Sequence, residues 1–195
     1  DVRLLNIVEA FIGQNIALYA SHYICKPPCD GLPVLWHQDG SYWPLEPMEV
    51  VSLWLAIDDS VIENGCMRLI PGTQNMKLQK LEKITERPNV LNSQINPDLI
   101  DESKAVDIIL KSGDVSVHNP NIIHGSSANV SKMRRCGLTI RYIPTTTRIK
   151  HDEEKFRSAF LLRGNAIEGI NQYNDWLIYK KTNHMPFRGC EKWAH

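Results

Sequence analysis

The stretch EVVSLWLAID, residues 49–58, alternates with a period of two. Val51, Leu53, Leu55 and Ile57 fall on one face, and Ser52 and Trp54 on the other, which is the pattern of a strand with one apolar face. Working outward, NIALYASHYICK (15–26) reads as a second strand, and Leu4, Leu5, Ile7, Val8, Phe11 and Ile12 recur at helical spacing before a stop at Gly13. KPPCDGLP (26–33) is loop, DDSVIENG (58–65) turns the chain, and CMRLIPG (66–72) is a short strand. Three strands then follow at short spacing: AVDIIL (105–110), DVSVHN (114–119) and CGLTIRYIP (136–144), with KSGD (111–114) as the turn between the first two. Residues 72–104 are polar and irregular, with a short helix predicted in PDLIDESKA (97–105); the stretch reads as either a cover over a pocket mouth or a surface excursion. A further helix is predicted in DEEKFRSAFLL (152–162), followed by the aromatics Tyr173, Trp176 and Tyr179. Many short strands joined by Gly/Pro turns imply an all-β sandwich or barrel with helices packed outside.

A chain of 195 residues is long enough for one domain with a real core, and residues 1–195 are read as that single domain. Hydrophobic residues make up 43% and charged residues 23%, the balance of a globular protein. Twenty-two basic side chains match 22 acidic ones, so neither nucleic acid nor an anionic membrane is expected as the main partner. No apolar run approaches the roughly 18 residues that span a bilayer. The chain opens at Asp1 with no charged-then-apolar leader, and its five cysteines are scattered. That set is a poor disulfide framework, so unpaired thiols and a cytoplasmic or other reducing compartment are expected. Cys25 and Cys29 lack a second pair that would make a zinc site. Asn129-Val130-Ser131 matches a glycosylation sequon and is taken as chance.

The chemistry concentrates in LWHQDGSYW (35–43) and NPNIIHGSSAN (119–129). Residues i and i+2 of an extended segment point to the same side, so His37 and Asp39 can approach one ion together. His124, just beyond a strand and next to Gly125, supplies a third ligand. Two imidazoles and a carboxylate on one side of an octahedron leave three positions open, the facial arrangement of non-haem Fe(II) oxygenases. A closed structural zinc site would want four protein ligands, usually with thiolates. Arg135, at a strand start, suits the far carboxylate of a bound dicarboxylate, and Ser126 can add a hydroxyl bond. At least one of Arg134 and Arg135 is expected to be a solvated surface cation.

WHQDGSYWPLEP, VSLWLAIDDSVIENGCMRLIPGT and SGDVSVHNPNIIHGSSANVSKMRRCGLTIRY together resemble the phytanoyl-CoA dioxygenase family, from about Ile16 to Tyr142. The resemblance implies a mainly β double-stranded β-helix, a cupin-like jelly roll with flanking helices and the metal near one open end. It implies Fe(II) on His37, Asp39 and His124, with 2-oxoglutarate and O2 as cosubstrates. Arg135 would hold the distal carboxylate of 2-oxoglutarate with help from Ser126, Lys26 would stand near it, and Trp54 would line the same cavity. Members of the family usually carry more chain before the segment that matches Asp1, so an N-terminal portion is expected to be lacking here. The halogenating relatives lack the carboxylate, so Asp39 implies hydroxylation of a C–H bond with release of succinate and CO2.

A small organic substrate is expected, with Tyr42 and Trp43 as candidate pocket walls; the oligomeric state is not legible. Regular alternation in RCGLTIRY (135–142) puts Arg135, Gly137, Thr139 and Arg141 on one face. Arg141 then points inward, where its charge needs a partner: an acidic group on the substrate, or an Asp or Glu of the chain. His118 and His22 are read as hydrogen-bonded core histidines, and Asn64 as a brace for the strand beside the metal. His151, His184 and His195 carry no signal. The alternatives are a non-catalytic metal- or ligand-binding β-barrel of the same fold, and a zinc hydrolase.

Overall fold

The computed structural model describes residues 1–150 and 159–174. One α-helix, α1 (Val2–Ile12), is followed by β1 (Ile16–Lys26), β2 (Val34–His37), β3 (Leu45–Glu46), β4 (Val51–Ala56) and β5 (Met67–Leu69). Next come β6 (Leu81–Lys83), β7 (Ser93–Ile95), β8 (Val106–Ile108), β9 (Val115–His118) and β10 (His124–Ser126). The described part closes with β11 (Arg135–Pro144), β12 (Arg148–Ile149) and β13 (Phe160–Arg163). Two antiparallel sheets dominate, a five-stranded one in the order β13-β1-β11-β4-β9 and a four-stranded one in the order β2-β10-β5-β8. This is the jelly roll that the family resemblance implies, and it fits the sandwich or barrel expected from the short, turn-punctuated strands.

The period-two pattern decides which way each sheet faces. Val51, Leu53 and Leu55 of β4 join Tyr142 and Ile140 of β11 on the outer face of the larger sheet. There α1 lays Leu4, Leu5, Val8 and Ile12 across them. The helix starts where Asp1 accepts a bond from the Arg3 N–H at 2.9 Å and stops at Gly13, whose φ of 76° suits glycine. On the smaller sheet Trp36 and Ile123 point outward into a cluster with Ile70, Ile95, Met76 and Leu81. The irregular stretch 72–104 therefore covers that outer face. It contains the hairpin β6–β7 and two single 3-10 turns, Pro97–Leu99 and Glu102–Lys104, where a short helix was expected. A third cluster, built on Ala17, Leu45, Val50, Ile143 and Ile149, packs against Tyr19 and Trp43.

The inner faces are polar. Lys26, Arg135, Thr139, Arg141, Ser52, Trp54 and His118 are all buried on the larger sheet. Arg135 Nε donates to the Gly65 carbonyl at 3.1 Å, and Lys26 donates to the Ser127 carbonyl, so both cations reach across to the smaller sheet. Asn64, fully buried, ties the 58–65 turn to the chain just before β11: it accepts from the Val61 N–H at 2.8 Å and donates to the Arg134 carbonyl at 3.4 Å. The expected brace is present.

Two expectations change. The described end of the helix predicted over 152–162 is strand β13, pairing with β1, and residues 152–158 lie outside the described region. Trp176, Tyr179, His151, His184, His195 and Cys190 lie outside it as well. Cys25 and Cys136 are not unpaired thiols: they are register partners across β1 and β11 and form a disulfide, while Cys29 and Cys66 are free among the described residues. Scattered positions in sequence say nothing about which residues a sheet places opposite one another. Asn129 is buried and donates to the carbonyls of Pro27 and Met133, so the sequon there is a structural asparagine.

Candidate metal centre

His37 ends β2 and His124 begins β10, and the two are register partners in the smaller sheet. Their ring centroids lie 4.2 Å apart. Gln38 keeps an extended backbone (φ −114°, ψ 125°), so alternation carries Asp39 to the same side as His37 before the chain turns into a short 3-10 helix. Gln38 itself points away and is fully buried. Its amide donates to the Asn121 carbonyl at 2.6 Å and accepts from the Gln79 N–H at 2.8 Å, locking the two ligand-bearing segments together. Sequence reasoning gave Gln38 no role, and a single amide between two ligands carries no pattern by which to find it.

His37, Asp39 and His124 are each less than 8% exposed (4%, 6% and 7%). One ligand atom from each lies within 4.8 Å of the others. The tautomers are set locally. Nδ1 of His37 is 2.8 Å from the Leu35 carbonyl oxygen, and Nδ1 of His124 is 3.0 Å from that of Ile122. A carbonyl only accepts, so the proton sits on each Nδ1 and the Nε2 lone pairs face the centre. Burial, then the neighbouring His37, pushes His124 down to about 3, so it is neutral and ligand-ready at physiological pH. Burial alone would raise the pKa of Asp39. Arg141, then His118, His37 and His124 overcome that and hold the carboxyl well below the usual carboxylate range. Two imidazole nitrogens and an ionised carboxylate oxygen, converging and buried, fit a divalent cation.

Beyond the triad stand the other expected residues. Lys26 and Arg135 are register partners on β1 and β11 and are 2% and 3% exposed. Among the described residues neither has a carboxylate within ion-pair distance. Both bond instead to main-chain carbonyls. Burial, then the charge of Arg135, lowers Lys26 to about 7. Burial lowers Arg135 to about 10. The Arg135 guanidinium lies 5.3 Å from the centre of the Trp54 indole. Ser126, two residues after His124 on β10, has a buried Oγ without a hydrogen-bond partner among the described residues. Two buried cations and an unpartnered hydroxyl suit a dicarboxylate, because unpaired buried charge is costly. Arg134 is the solvated member of its pair, bonded to Asp58 at 2.7 and 2.8 Å.

The candidate substrate contacts divide. Tyr42 is 39% exposed beside His37 and shares a hydrogen bond with Ser93 at 2.6 Å. Trp43 packs edge-on to Tyr19 and under Arg141, whose guanidinium lies 5.0 Å from its ring centre. Of the two partners considered for Arg141, the internal one is present: its terminal nitrogen lies 3.5 Å from Asp39 Oδ2. Arg141 also donates to His22 Nδ1 at 2.8 Å and to the Thr139 hydroxyl at 3.1 Å. His118 is buried with its Nε2 3.6 Å from Asp39 Oδ2. It is the buried histidine expected, and the group it faces is the carboxylate of the site.

The family model described as phytanoyl-CoA dioxygenase (PhyH) matches residues 1–137. A probable alpha-ketoglutarate-dependent hypophosphite dioxygenase of Stutzerimonas stutzeri is 28% identical over 72% of the chain and 49% of its own length. Phytanoyl-CoA dioxygenase 1 of Oryza sativa subsp. japonica is 33% identical over 66% of the chain and 45% of its own length. The chain thus spans about half the length of these curated relatives. Among solved structures, the apo form of ThoJ, a non-haem monooxygenase, superposes with a TM-score of 0.76 at 27% identity, covering 88% of this chain and 62% of that one.

Proposed function

The chain belongs to the phytanoyl-CoA dioxygenase family, and from that premise we propose that it is an Fe(II)- and 2-oxoglutarate-dependent dioxygenase that hydroxylates a C–H bond of a small organic molecule. The observation that carries the reading is the pairing of two things. A buried His37–Asp39–His124 cluster has ligand atoms within 4.8 Å, and the same interior holds two buried cations, Lys26 and Arg135, that have no carboxylate partner among the described residues. His37, Asp39 and His124 would hold the iron, and Arg135, Lys26 and Ser126 would hold the 2-oxoglutarate. Bound iron and 2-oxoglutarate supply O2 activation, coupled to decarboxylation of the cosubstrate to succinate and CO2.

The chain's own residues do the positioning. The carbonyls of Leu35 and Ile122 keep both imidazoles in the ligand tautomer. Trp54 stacks against the Arg135 guanidinium, which limits where its planar fork can point. Gln38 and the stretch 77–79 close the back of the ligand turn, and burial of the triad excludes water from it. Tyr42 and Trp43 flank the approach to Asp39, and we assign Tyr42, the more exposed of the two, to the substrate path.

The test is an anaerobic titration of the purified protein with Fe(II) and 2-oxoglutarate, followed by a screen of small organic molecules for substrate-dependent succinate release. A weak visible charge-transfer band is expected in the wild type and absent in His124→Ala. A folded protein that gives no band and no succinate sinks the proposal in favour of a non-catalytic binding barrel. Turnover with zinc and without 2-oxoglutarate would favour a hydrolase.

A further inference from the structure

Three imidazoles crowd around Asp39, and the chemistry of the triad uses two. We infer that the third, His118, acts with Arg141 as a pair of positioning residues: they hold Oδ2 of Asp39 and leave Oδ1 alone for the metal. The inference rests on the proposed metal site and adds how its carboxylate is aimed.

The two oxygens of Asp39 face different neighbours. Oδ1 lies 3.5 Å from His37 Nε2 and 4.0 Å from His124 Nε2, the two lone pairs of the centre. Oδ2 lies 3.6 Å from His118 Nε2 and 3.5 Å from a terminal nitrogen of Arg141. The pairing of the sheet explains the convergence. Arg141 on β11 and His118 on β9 are both register partners of Ser52 on β4, so they stand in one row across the larger sheet, pointing at the smaller one. Arg141 is fixed in its turn by Trp43 under its guanidinium and by bonds to His22 and Thr139.

The partner of Nδ1 decides what each imidazole does. In His37 and His124 a carbonyl holds the proton on Nδ1, and Nε2 is left as a lone pair. His118 Nδ1 is buried with no hydrogen-bond partner among the described residues. Nothing places a proton there, while a carboxylate oxygen faces Nε2. With a carboxylate oxygen at Nε2 and no acceptor at Nδ1, His118 is oriented to donate from Nε2 toward Asp39. One residue type serves as ligand twice and as donor once, sorted by main-chain carbonyls. A carboxylate held through one oxygen offers the metal the other, so Asp39 takes one coordination position and not two.

The experiment uses cobalt(II) alone, with affinity from calorimetric titration and coordination from the visible d–d band of the bound ion. Wild type, Arg141→Met, Arg141→Lys, His118→Phe and the Arg141→Met/His118→Phe double variant are compared, with folding checked by circular dichroism. Each apolar single variant is expected to bind cobalt roughly ten-fold or more weakly and to shift the band, as loss of a ligand's orienting partner does. Arg141→Lys is expected to recover part of the loss. The double variant loses less than the two single losses combined, because both act on one oxygen. Should Arg141→Met not fold, the band of His118→Phe decides. Folded variants with wild-type affinity and an unchanged band, or strictly additive losses, overturn the inference and leave the metal site standing. A wild type that binds no cobalt overturns both.

Discussion

Lys26 shows how much a single side chain reveals once its surroundings are known. Its ammonium is buried beside the Arg135 cation, which lowers it to about 7 from its ordinary value of 10.5. In the folded protein the lysine therefore gives up its proton as pH rises through 7, while the unfolded chain keeps its own up to about 10.4. Between those limits the unfolded state binds more protons, so this group's contribution to stability rises with pH. Binding of a dianion runs the other way, because the dianion needs the charged lysine. Affinity for 2-oxoglutarate, measured with Mn(II) in place of iron, is expected to be weaker at pH 8.5 than at pH 6.5. Lys26→Met should flatten that difference. An unchanged slope in Lys26→Met would mean that Lys26 does not face the cosubstrate.

At the scale of elements, the strand pair β1–β11 and its neighbour β4 carry two further predictions. A Cβ at Gly137 would stand 1.9 Å from Cζ2 of Trp54, a rigid ring that is itself buried. Gly137→Ala is expected to destabilise the protein by about 1–3 kcal/mol in urea unfolding, from overpacking. It should also weaken 2-oxoglutarate binding, because the ring that must move lies against Arg135. Cys25 and Cys136 meet across the same strands. Non-reducing peptide mapping should return a peptide linking them, with Cys29 alkylated in the native protein and the buried Cys66 only after unfolding.

The same elements show what was legible in the residues. Alternation in 49–58 and 136–144 located β4 and β11 and sorted their faces, because a half-buried strand must alternate. His37, Asp39 and His124 were legible because ligand chemistry restricts residue type and spacing. The Cys25–Cys136 pairing and the place of His118 beside Asp39 were not, since both follow from strand register, which no local pattern specifies. The helix expected over 152–162 failed where described because Phe160–Arg163 finds a strand partner in β1. Tertiary pairing there overrides a local preference.

For the whole molecule the relevant quantity is the charge held between the sheets. The interior confines Lys26 and Arg135, whose hydrogen-bond partners among the described residues are main-chain carbonyls. A dicarboxylate would satisfy those cations and a metal the triad, and ligands that bind the folded state in preference to the unfolded chain stabilise it. At about a hundred times Kd, one such ligand adds about 2.7 kcal/mol, or roughly 5–10 °C in Tm for a chain of this size. Mn(II) with 2-oxoglutarate should raise Tm by that order, and glutarate, which lacks the keto oxygen, by less. Equal shifts from the two compounds would argue that the cosubstrate does not reach the metal.

The distribution of apolar packing has a last consequence. Two of the three apolar clusters lie on the outer faces, under α1 and under the 72–104 stretch, and the third is the one against Tyr19 and Trp43. The walls beside the triad therefore supply little of the adhesion that keeps the sheets together. Such a scaffold can exchange its inner side chains and acquire new substrates during evolution while its outer seams go on holding the barrel shut.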